Sequence, residues 1–380
     1  MNSSEPRIAV FGATGEIGRR VCAELGRMGA AITAVGRHAD ALDALATSQP
    51  VAGQHVAGSD DAGALARAFT GAQVVINAAG PLRDTAAPVL AAALAAGAHY
   101  VDVGGEQAVL QEIYERHESE VRRAGLIALP GAGLDGTIGD LAAAWATQHL
   151  LGVSDPGDAV RTEPAPRLAD DAPIDDIAVT HVIDSLALSA GSQRALFGAI
   201  GARTLVWRRD RWEAGPAGDH RRVNAGASLG GERDALGFAG GAVLTIPRHI
   251  AAQLVTTYVS TTRSAGAATA MRLLSRALAF VPRRAGELLV PYAAPDADYG
   301  ATRFAVVAQV RRGFAAAQIV VGGYDLYRTT AVIAAWSACR IAERGAGPLG
   351  MRAPGELFRA EPALRAIARA AELTIEPSFG

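Results

Sequence analysis

The chain has 380 residues, half of them hydrophobic and 19% charged, which is typical of a globular protein long enough for two domains. Its formal net charge of −2 leaves no basic excess for binding a nucleic-acid backbone. The sequence contains no lysine, so all 36 basic residues are arginine. This excludes a Walker A phosphate loop, a Schiff-base lysine and the Tyr-x-x-x-Lys pair of short-chain dehydrogenases, since each needs a lysine amine.

The cysteines and the apolar runs exclude further classes of protein. Cys22 and Cys339 lie far apart, without another Cys or His nearby at metal-ligand spacing, so neither a metal site nor a disulfide framework is expected. The N-terminus, MNSSEPRIAVFG, lacks the basic start and long apolar core of a signal peptide. The most lipid-like run, 86–98, is shorter than the roughly 18 residues of a membrane helix. We therefore expect a cytoplasmic protein with no membrane span, no metal and no nucleic-acid partner.

Short apolar runs alternate with helical patterns through the first third of the chain. The run 7–11 predicts a strand, and apolar residues at helical spacing predict a helix over 16–28. Further strands are predicted at 31–35, 54–57, 73–77, 99–103 and 126–129, with helices between them at 39–46, 62–69, 85–96 and 107–124. Continuously apolar strands between amphipathic helices predict an α/β fold with a Rossmann-type, doubly wound parallel sheet.

The stretch GATGEIG lies between the first strand and the first helix. Gly12, Gly15 and Gly18 form a G-x-x-G-x-x-G loop, whose missing side chains let the backbone approach a pyrophosphate at the helix N-terminus. A plain tight turn is the alternative. The cofactor-binding residues predicted in this loop are Gly12, Ala13, Thr14, Gly15, Glu16, Ile17 and Gly18.

Two further strand ends carry predicted cofactor contacts. The second strand ends at Gly36-Arg37, where an NAD site usually offers an acid. An arginine at this place can bind a 2′-phosphate, which predicts NADP(H), although a solvated surface arginine remains the alternative. The fourth strand ends in small residues that predict cofactor contact or simply a turn: Asn77, Ala78, Ala79, Gly80 and Pro81.

The chain resembles the saccharopine dehydrogenase-like, NADP-binding oxidoreductases, which include trans-acting enoyl reductases. The resemblance rests on VVINAAGPLRDTAAPVLAAALAAGAHYVDVGGE, where a strand, an asparagine-to-proline turn, an Ala-rich helix and a Tyr-Val-Asp strand follow the family's order. It extends to LIALPGAGLDGTIGDLAA and, near the C-terminus, to GGYDLYRTTAVIAAWSACRIAE. The chain departs from the family at Leu134, where phenylalanine is frequent, and at Ile138, where proline is common.

The resemblance at both ends implies a Rossmann domain interrupted by an inserted α+β domain. We expect an NADP-binding domain over 1–152, a substrate and dimerisation domain over 153–322, and C-terminal helices over 323–380 that return to the Rossmann domain. A homodimer through the inserted sheet is expected. In the inserted region, strands are predicted at 177–184, 203–207, 241–247, 253–259 and 304–311, and a helix at 264–280.

Three residues are candidates for catalysis. Asp135, in a glycine-lined turn, could orient the ribose, cap the next helix or hold a protonated substrate nitrogen. Tyr100 and Asp102 alternate on one strand, so their side chains share a face, and a structural role is the alternative for both. His249, in IPRHIAAQ, is a candidate acid. The predicted catalytic residues are thus Asp135, Tyr100 and His249.

Two arginines are candidates for binding the substrate. Arg83 follows the turn after the fourth strand, and Arg248 precedes the candidate acid. A guanidinium binds carboxylate or phosphate through paired hydrogen bonds, although both residues could equally form surface ion pairs.

The residues and the resemblance together predict an NADPH-dependent reductase. It would transfer a hydride to a C=N or conjugated C=C bond of a small or carrier-linked metabolite. Because the family's shorter members include enoyl reductases, the resemblance also implies that the reaction could belong to secondary metabolism. The alternative is a catalytically silent NADPH-binding redox sensor or scaffold, because the sequence shows no clear acid and base pair.

Overall fold

The structure, a computed structural model, describes residues 5–184, 204–216, 218–261, 299–344 and 347–380. Residues 5–150 contain β1 (Arg7–Phe11), α1 (Glu16–Arg27), β2 (Ala31–Gly36), α2 (Ala39–Ser48), β3 (Gly53–Val56), α3 (Ala62–Phe69), β4 (Val74–Asn77), α4 (Leu82–Ala95), β5 (His99–Asp102), α5 (Gln107–Arg123), β6 (Ile127–Leu129), a π-helix (Leu134–Ile138) and α6 (Gly139–Leu150). Residues 176–261 contain β7 (Asp176–Ile183), β8 (Leu205–Arg208), β9 (Arg211–Ala214), β10 (His220–Asn224), α7 (Gly226–Leu229), β11 (Glu232–Gly237), α8 (Ala242–Thr245), a 3₁₀ turn (Ile246–Arg248) and β12 (Leu254–Ser260). Residues 299–380 contain a 3₁₀ turn (Tyr299–Ala301), β13 (Arg303–Arg312), β14 (Ala315–Tyr324), α9 (Leu326–Arg344), β15 (Gly350–Met351), α10 (Pro354–Leu357), α11 (Ala360–Ala371) and β16 (Thr374–Phe379).

The first sheet has seven parallel strands in the order β15-β6-β5-β4-β1-β2-β3. Its central strands β1 and β4 are apolar except at their ends, and α1 packs on the sheet through a stripe that includes Val21, Cys22 and Leu25. The chain crosses over in opposite directions on either side of β1 and β4, so ligands are expected beside the carboxyl ends of these strands. The predicted Rossmann-type fold is confirmed.

The second sheet is mixed, with the order β10-β11-β12-β7-β13-β14-β16 and with β8 and β9 attached to β12. Among the described strands of this sheet, β12 and β7 pair in parallel and the other pairs are antiparallel. Helix α6 packs against β13 and β14, and α11 packs against α6. This sheet with its helices is the predicted second α+β region.

The chain divides into two compact units. The first comprises Met1–Thr137, Val160–Pro164 and Tyr327–Leu357, and the second comprises Ile138–Ala159, Ala165–Leu326 and Phe358–Gly380. The bounds differ from the predicted 1–152, 153–322 and 323–380. Helix α6 joins the second unit because it packs on that unit's sheet, and the last residues join it because β16 extends the sheet beside β14.

One predicted strand is wrong. Residues 241–247 form α8 and the start of a 3₁₀ turn instead, and every one of these residues is buried. A short, wholly apolar run fits a buried helical turn as well as a buried strand, so its periodicity could not decide between them. The predicted helix at 264–280 lies outside the described residues.

A helix needs roughly 18 or more predominantly apolar residues to cross a membrane. Within the described ranges, no helix is both long and apolar enough to do so.

Candidate functional site

A tight glycine turn joins β1 to α1. Gly12 has a φ of +79°, which favours glycine, and its amide donates to the Val35 carbonyl at 2.8 Å. A Cβ on Gly12 would lie 2.8 Å from Ala79, and a Cβ on Gly18 would clash with the Gly12 carbonyl oxygen. The glycines therefore let the turn after β1 approach both the start of α1 and the turn after β4.

This turn leads directly into the N-terminus of α1. The helix begins at Glu16, and its N-cap residue is Gly15, so no side chain caps the first amides. Arg19 and Arg20 bind the Glu16 carboxylate at 3.1 and 2.9 Å. The first amides of a helix have no intrahelical partner, and the helix dipole favours an anion beside them. The glycine turn and α1 thus have the form of a pyrophosphate site.

Arg37 directly follows β2 and is exposed. A Cβ on Gly36 would lie 3.5 Å from Thr14 Oγ1, so the glycine turn reaches the end of β2. Helix α2 begins two residues after Arg37. A guanidinium, a hydroxyl and a helix N-terminus at one corner of the sheet edge are suited to binding a phosphate.

The turn after β4 is held by the buried side chain of Asn77. Its Oδ1 accepts from the Ala79 amide at 3.1 Å, and its Nδ2 donates to Thr85 Oγ1 at 3.2 Å. The Thr85 hydroxyl in turn donates to the Ala79 carbonyl at 2.9 Å. The turn closes with a cis peptide bond between Gly80 and Pro81.

The next two turns share one carboxylate. Asp102 ends β5, and its Oδ1 accepts from the amides of Gly104 and Gly131 at 2.9 Å each. Gly104 belongs to the turn after β5, whereas Gly131 belongs to the turn after β6. At the turn after β5, Glu106 accepts from the Leu82 amide at 3.1 Å, which satisfies the start of α4.

Asp135 lies in the π-helix that follows β6. Its side chain is half-buried, and its Oδ2 would be 3.0 Å from a Cβ on Gly105. A Cβ on Gly136 would clash with the Gly131 carbonyl oxygen, so the π-helix packs tightly on the turn before it. Ile138, and not Asp135, is the residue before the first turn of α6, and the Asp135 carboxylate lies against the turn after β5.

Burial shifts the pKa values of Asp102 and Tyr100 on β5. Burial raises the pKa of Asp102 to about 6, although the Gly131 and Gly104 amides oppose the change, and the nearby Glu106 charge adds to it. Burial raises the pKa of Tyr100 well above 10, and the Asp102 charge contributes. The Tyr100 hydroxyl also interacts with the Asp102 carboxylate and lowers its pKa.

The remaining predicted residues of the first unit have contrasting exposures. Tyr100 is 0% exposed, and its hydroxyl accepts from Asn77 Nδ2 at 3.3 Å. A fully buried hydroxyl does not touch a substrate, so the structure disagrees with the catalytic role predicted for Tyr100. Arg83 stands at the start of α4 with 66% of its side chain exposed, 3.8 Å from Asp84.

The second unit contains the other two predicted residues. His249 is 3% exposed, and its Nε2 lies 3.0 Å from both carboxylate oxygens of Asp140, which is 0% exposed. One ring nitrogen is thus engaged by a buried carboxylate, and the role of His249 as an acid stays a prediction. Arg248 is half-buried beside it.

Sequence reasoning missed Asp140 and Thr85, and gave Asp102 little weight. The position of Asp102 at the end of a predicted strand was a usable signal, because strand ends form the ligand edge of such a sheet. No local signal marks Asp140, since its partner lies 109 residues away. The described residues contain no group of three or more His, Cys, Asp or Glu side chains that could hold a metal ion.

The chain was matched to one domain family by its sequence and to one fold by its structure. The family model of the saccharopine dehydrogenase NADP binding domain matches residues 8–129. The structure is similar to apo saccharopine dehydrogenase (L-Glu forming) from Saccharomyces cerevisiae, with 13% identity, 99% of this chain and 100% of that chain covered, and a TM-score of 0.63. At this identity the likeness concerns the fold.

Two further structures share a smaller part of the chain. The NADPH-dependent quinone oxidoreductase QOR2 from Escherichia coli, complexed with NADPH, has 22% identity over 41% of this chain and 59% of that chain, with a TM-score of 0.29. The Citrobacter sp. triphenylmethane reductase complexed with NADP(H) has 23% identity over 41% and 60%, with a TM-score of 0.29. No curated protein matches the sequence.

The family match covers β1 to β6, which carry the glycine turn, Arg37 and the turn after β4. Its description agrees with the cofactor predicted from Arg37, which is NADP(H). Residues 8–129 thus match the saccharopine dehydrogenase NADP binding domain, and the chain is an NADP-dependent oxidoreductase.

Proposed function

We propose that the protein is an NADPH-dependent reductase that transfers a hydride to a polarised C=N or conjugated C=C bond of a small or carrier-linked metabolite. The observation that carries the proposal is the carboxyl edge of the first sheet. There Gly12 contacts Ala79, Asp102 binds Gly104 and Gly131, and Asp135 lies against Gly105. The turns after four strands thus form one continuous edge.

The residues along this edge fit the cofactor. The pyrophosphate would lie on the Gly12–Gly18 amides, where the glycines let the turn pack closely on the start of α1, and the 2′-phosphate would bind Arg37. The turn Asn77–Pro81 would line the path towards the reacting end. When bound, NADPH supplies the hydride, and the protein has to hold and orient the two reactants.

Asp135 is the group that we assign to the substrate. It is the half-buried carboxylate at the end of the edge, so it could hold a protonated nitrogen or deliver a proton to the reduced bond. The exposed Arg83, at the start of α4, is suited to a carboxylate or phosphate of the substrate. Arg248, in the second unit, stays a candidate from the sequence alone for binding a carboxylate or phosphate. In this proposal, neither His249 nor Tyr100 touches the substrate.

Arg37 gives the first test, because it should decide between the two nicotinamide cofactors. We expect Arg37→Ala to weaken NADPH binding about 10- to 100-fold, the value of a charge-assisted hydrogen bond or two, and NADH binding less than about 3-fold. Cofactor fluorescence measures both dissociation constants. Arg7→Ala is the matched control, because Arg7 is an exposed arginine at the opposite end of β1. Equal loss of both cofactors in Arg37→Ala would contradict the assignment.

Hydride transfer itself is tested with deuterated NADPH. Purified protein and NADPH deuterated at one or the other face of nicotinamide C4 would be incubated with metabolite extract and with an acyl-carrier fraction. We expect one product to gain deuterium from one face only, and mass spectrometry to locate the label on a carbon of the former C=N or C=C bond. Gly12→Val is the control, since its side chain would lie within contact of Ala79 and block the cofactor turn.

The opposite result has a defined meaning. If the protein binds NADPH tightly and neither face loses deuterium in any fraction, the reductase proposal is wrong. The chain would then be a catalytically silent NADPH-binding sensor or scaffold.

A further inference from the structure

A line of buried polar side chains runs across two neighbouring strands of the first unit. Asn77 ends β4, while Tyr100 and Asp102 lie on β5, where Asn77 pairs with Asp102. All three side chains are 0% exposed. Asn77 Nδ2 donates to the Tyr100 hydroxyl at 3.3 Å, and Asp102 lies two residues further along β5, on the same face of the strand. Polar groups that are buried this deeply persist only when they are hydrogen-bonded.

Each end of the line holds backbone turns. At the β4 end, Asn77 binds the Ala79 amide at 3.1 Å. At the β5 end, Asp102 binds the Gly104 and Gly131 amides at 2.9 Å each, and its own carbonyl accepts from Ala132 at 2.6 Å. One carboxylate oxygen therefore joins the turn after β5 to the turn after β6.

The two turns that Asp102 joins are packed without spare room. A Cβ on Gly131 would lie 3.3 Å from the Gly104 carbonyl oxygen, and a Cβ on Gly104 would clash with Leu82. The Asp135 carboxylate lies 3.0 Å from the Cβ position of the next residue, Gly105. A change in the separation of the two turns would thus move Asp135 relative to Gly105.

We propose that Asp102 and Tyr100 are positioning residues of the reductase. The Asp102 carboxylate fastens the turn after β5 to the turn after β6 and so fixes Asp135. The Tyr100 hydroxyl accepts from Asn77 and so helps to hold the turn after β4. The inference rests on the proposed function in one respect, that these turns surround the bound cofactor and substrate.

The hydrogen bonds predict which substitutions are tolerated. Asp102 acts here as an acceptor for two amides, and an asparagine offers the same acceptor in nearly the same shape. Asp102→Asn should therefore retain the positions of the turns, whereas Asp102→Ala should release them. Tyr100→Phe keeps the packed ring and removes only the hydroxyl that accepts from Asn77.

Two measurements on the full chain test the proposal without any substrate. Hydrogen–deuterium exchange is measured by mass spectrometry on peptides that resolve residues 77–82, 103–106 and 130–136, and NADPH affinity is measured by cofactor fluorescence. In Asp102→Ala we expect exchange to rise at least about tenfold at the amides of Gly104 and Gly131, and NADPH to bind about tenfold more weakly. Asp102→Asn should stay within about threefold of the parent in both measurements, and Tyr100→Phe should lie between the two. Asp171→Asn, at an exposed aspartate of the second unit, is the control.

Three results would overturn the proposal. These are unchanged exchange in Asp102→Ala, an Asp102→Asn chain that is as impaired as Asp102→Ala, and unchanged exchange and affinity in Tyr100→Phe. If Asp102→Ala does not fold, Tyr100→Phe and Asp102→Asn still decide. A failure of the proposed function is distinguishable, because missing hydride transfer would leave both measurements as predicted.

Discussion

Among the described residues, each unit of the molecule has one aspartate that is 0% exposed, and these two aspartates have different partners. Asp102, in the first unit, accepts backbone amides of two turns. Asp140, in the second unit, lies 3.0 Å from the ring of His249 with both of its oxygens. Both carboxylates are 0% exposed. Asp102 is thus bound by backbone amides, whereas Asp140 is bound by another side chain.

The difference bears on what each aspartate can do. Amide donors are fixed to the chain, so a carboxylate that binds them determines the path of the backbone, and at a strand end this path forms the ligand site. A side-chain partner such as His249 determines instead how α6 is attached to the 3₁₀ turn of its own unit. We therefore expect changes at Asp102 to affect the cofactor edge and changes at Asp140 to affect stability.

The largest effect is expected from separating Asp140 and His249. Asp140→Ala should lower the free energy of unfolding by about 3–5 kcal/mol, because it leaves a buried polar ring without its partner. Chemical unfolding followed by circular dichroism measures the change. The double variant Asp140→Ala/His249→Ala should cost less than the sum of the two single variants, since the second change removes the group that the first left unpaired.

A surface pair in the same unit provides the control for this prediction. Arg167 and Asp170 lie 3.3 Å apart, with 38% and 63% of their side chains exposed. Asp170→Ala should change the free energy of unfolding by less than about 1 kcal/mol, because water screens an exposed pair. Additive losses in the Asp140 and His249 double variant would show that the two groups do not act as a pair.

The sequence predicted the fold of the first unit well because its elements follow local patterns. Each turn that we propose for the cofactor directly follows an apolar strand, and the glycines of the turn after β1 are neighbours in sequence, as in the loop Gly12–Gly18. The parallel order then brings the strand ends together without further information. Tyr100 was misjudged because a tyrosine at a strand end is compatible with both a substrate contact and a core position. Only its complete burial decides between them.

The second unit was less predictable because its contacts are distant in sequence. Strand β7 pairs with β12 and β13, and β16 at the C-terminus pairs with β14. The apolar run 241–247 fitted a strand by composition, yet it forms a helical turn. Neither periodicity nor spacing connects Asp140 with His249. Pairings of this kind depend on the assembled core and leave no local pattern.

The smaller effect is expected at Asp102, where stability should depend on pH. Burial raises its pKa from an ordinary 3.8 to about 6, so the folded chain binds a proton more readily than the unfolded chain. Above pH 6 both states are ionised, and the fold carries the full cost of burying the charge. As the pH falls from about 6 towards 4, the folded state takes up the proton and this cost is relieved. At about 1.4 kcal/mol per pH unit, the relief is roughly 3 kcal/mol at most.

Asparagine has no charge to bury, so Asp102→Asn isolates this effect from the other carboxylates, which titrate in both chains. The difference in free energy of unfolding between the parent and Asp102→Asn, measured from pH 7 to pH 4, should move in favour of the parent as the pH falls. Glu106→Gln sharpens the test, because the Glu106 charge contributes to the raised pKa of Asp102. Its removal should move the midpoint of the curve to lower pH, while a glutamine oxygen can still accept from Leu82. If the difference in free energy of unfolding between the two chains does not change with pH, the prediction is wrong. The Gly104 and Gly131 amides would then offset the whole cost of burying the Asp102 charge.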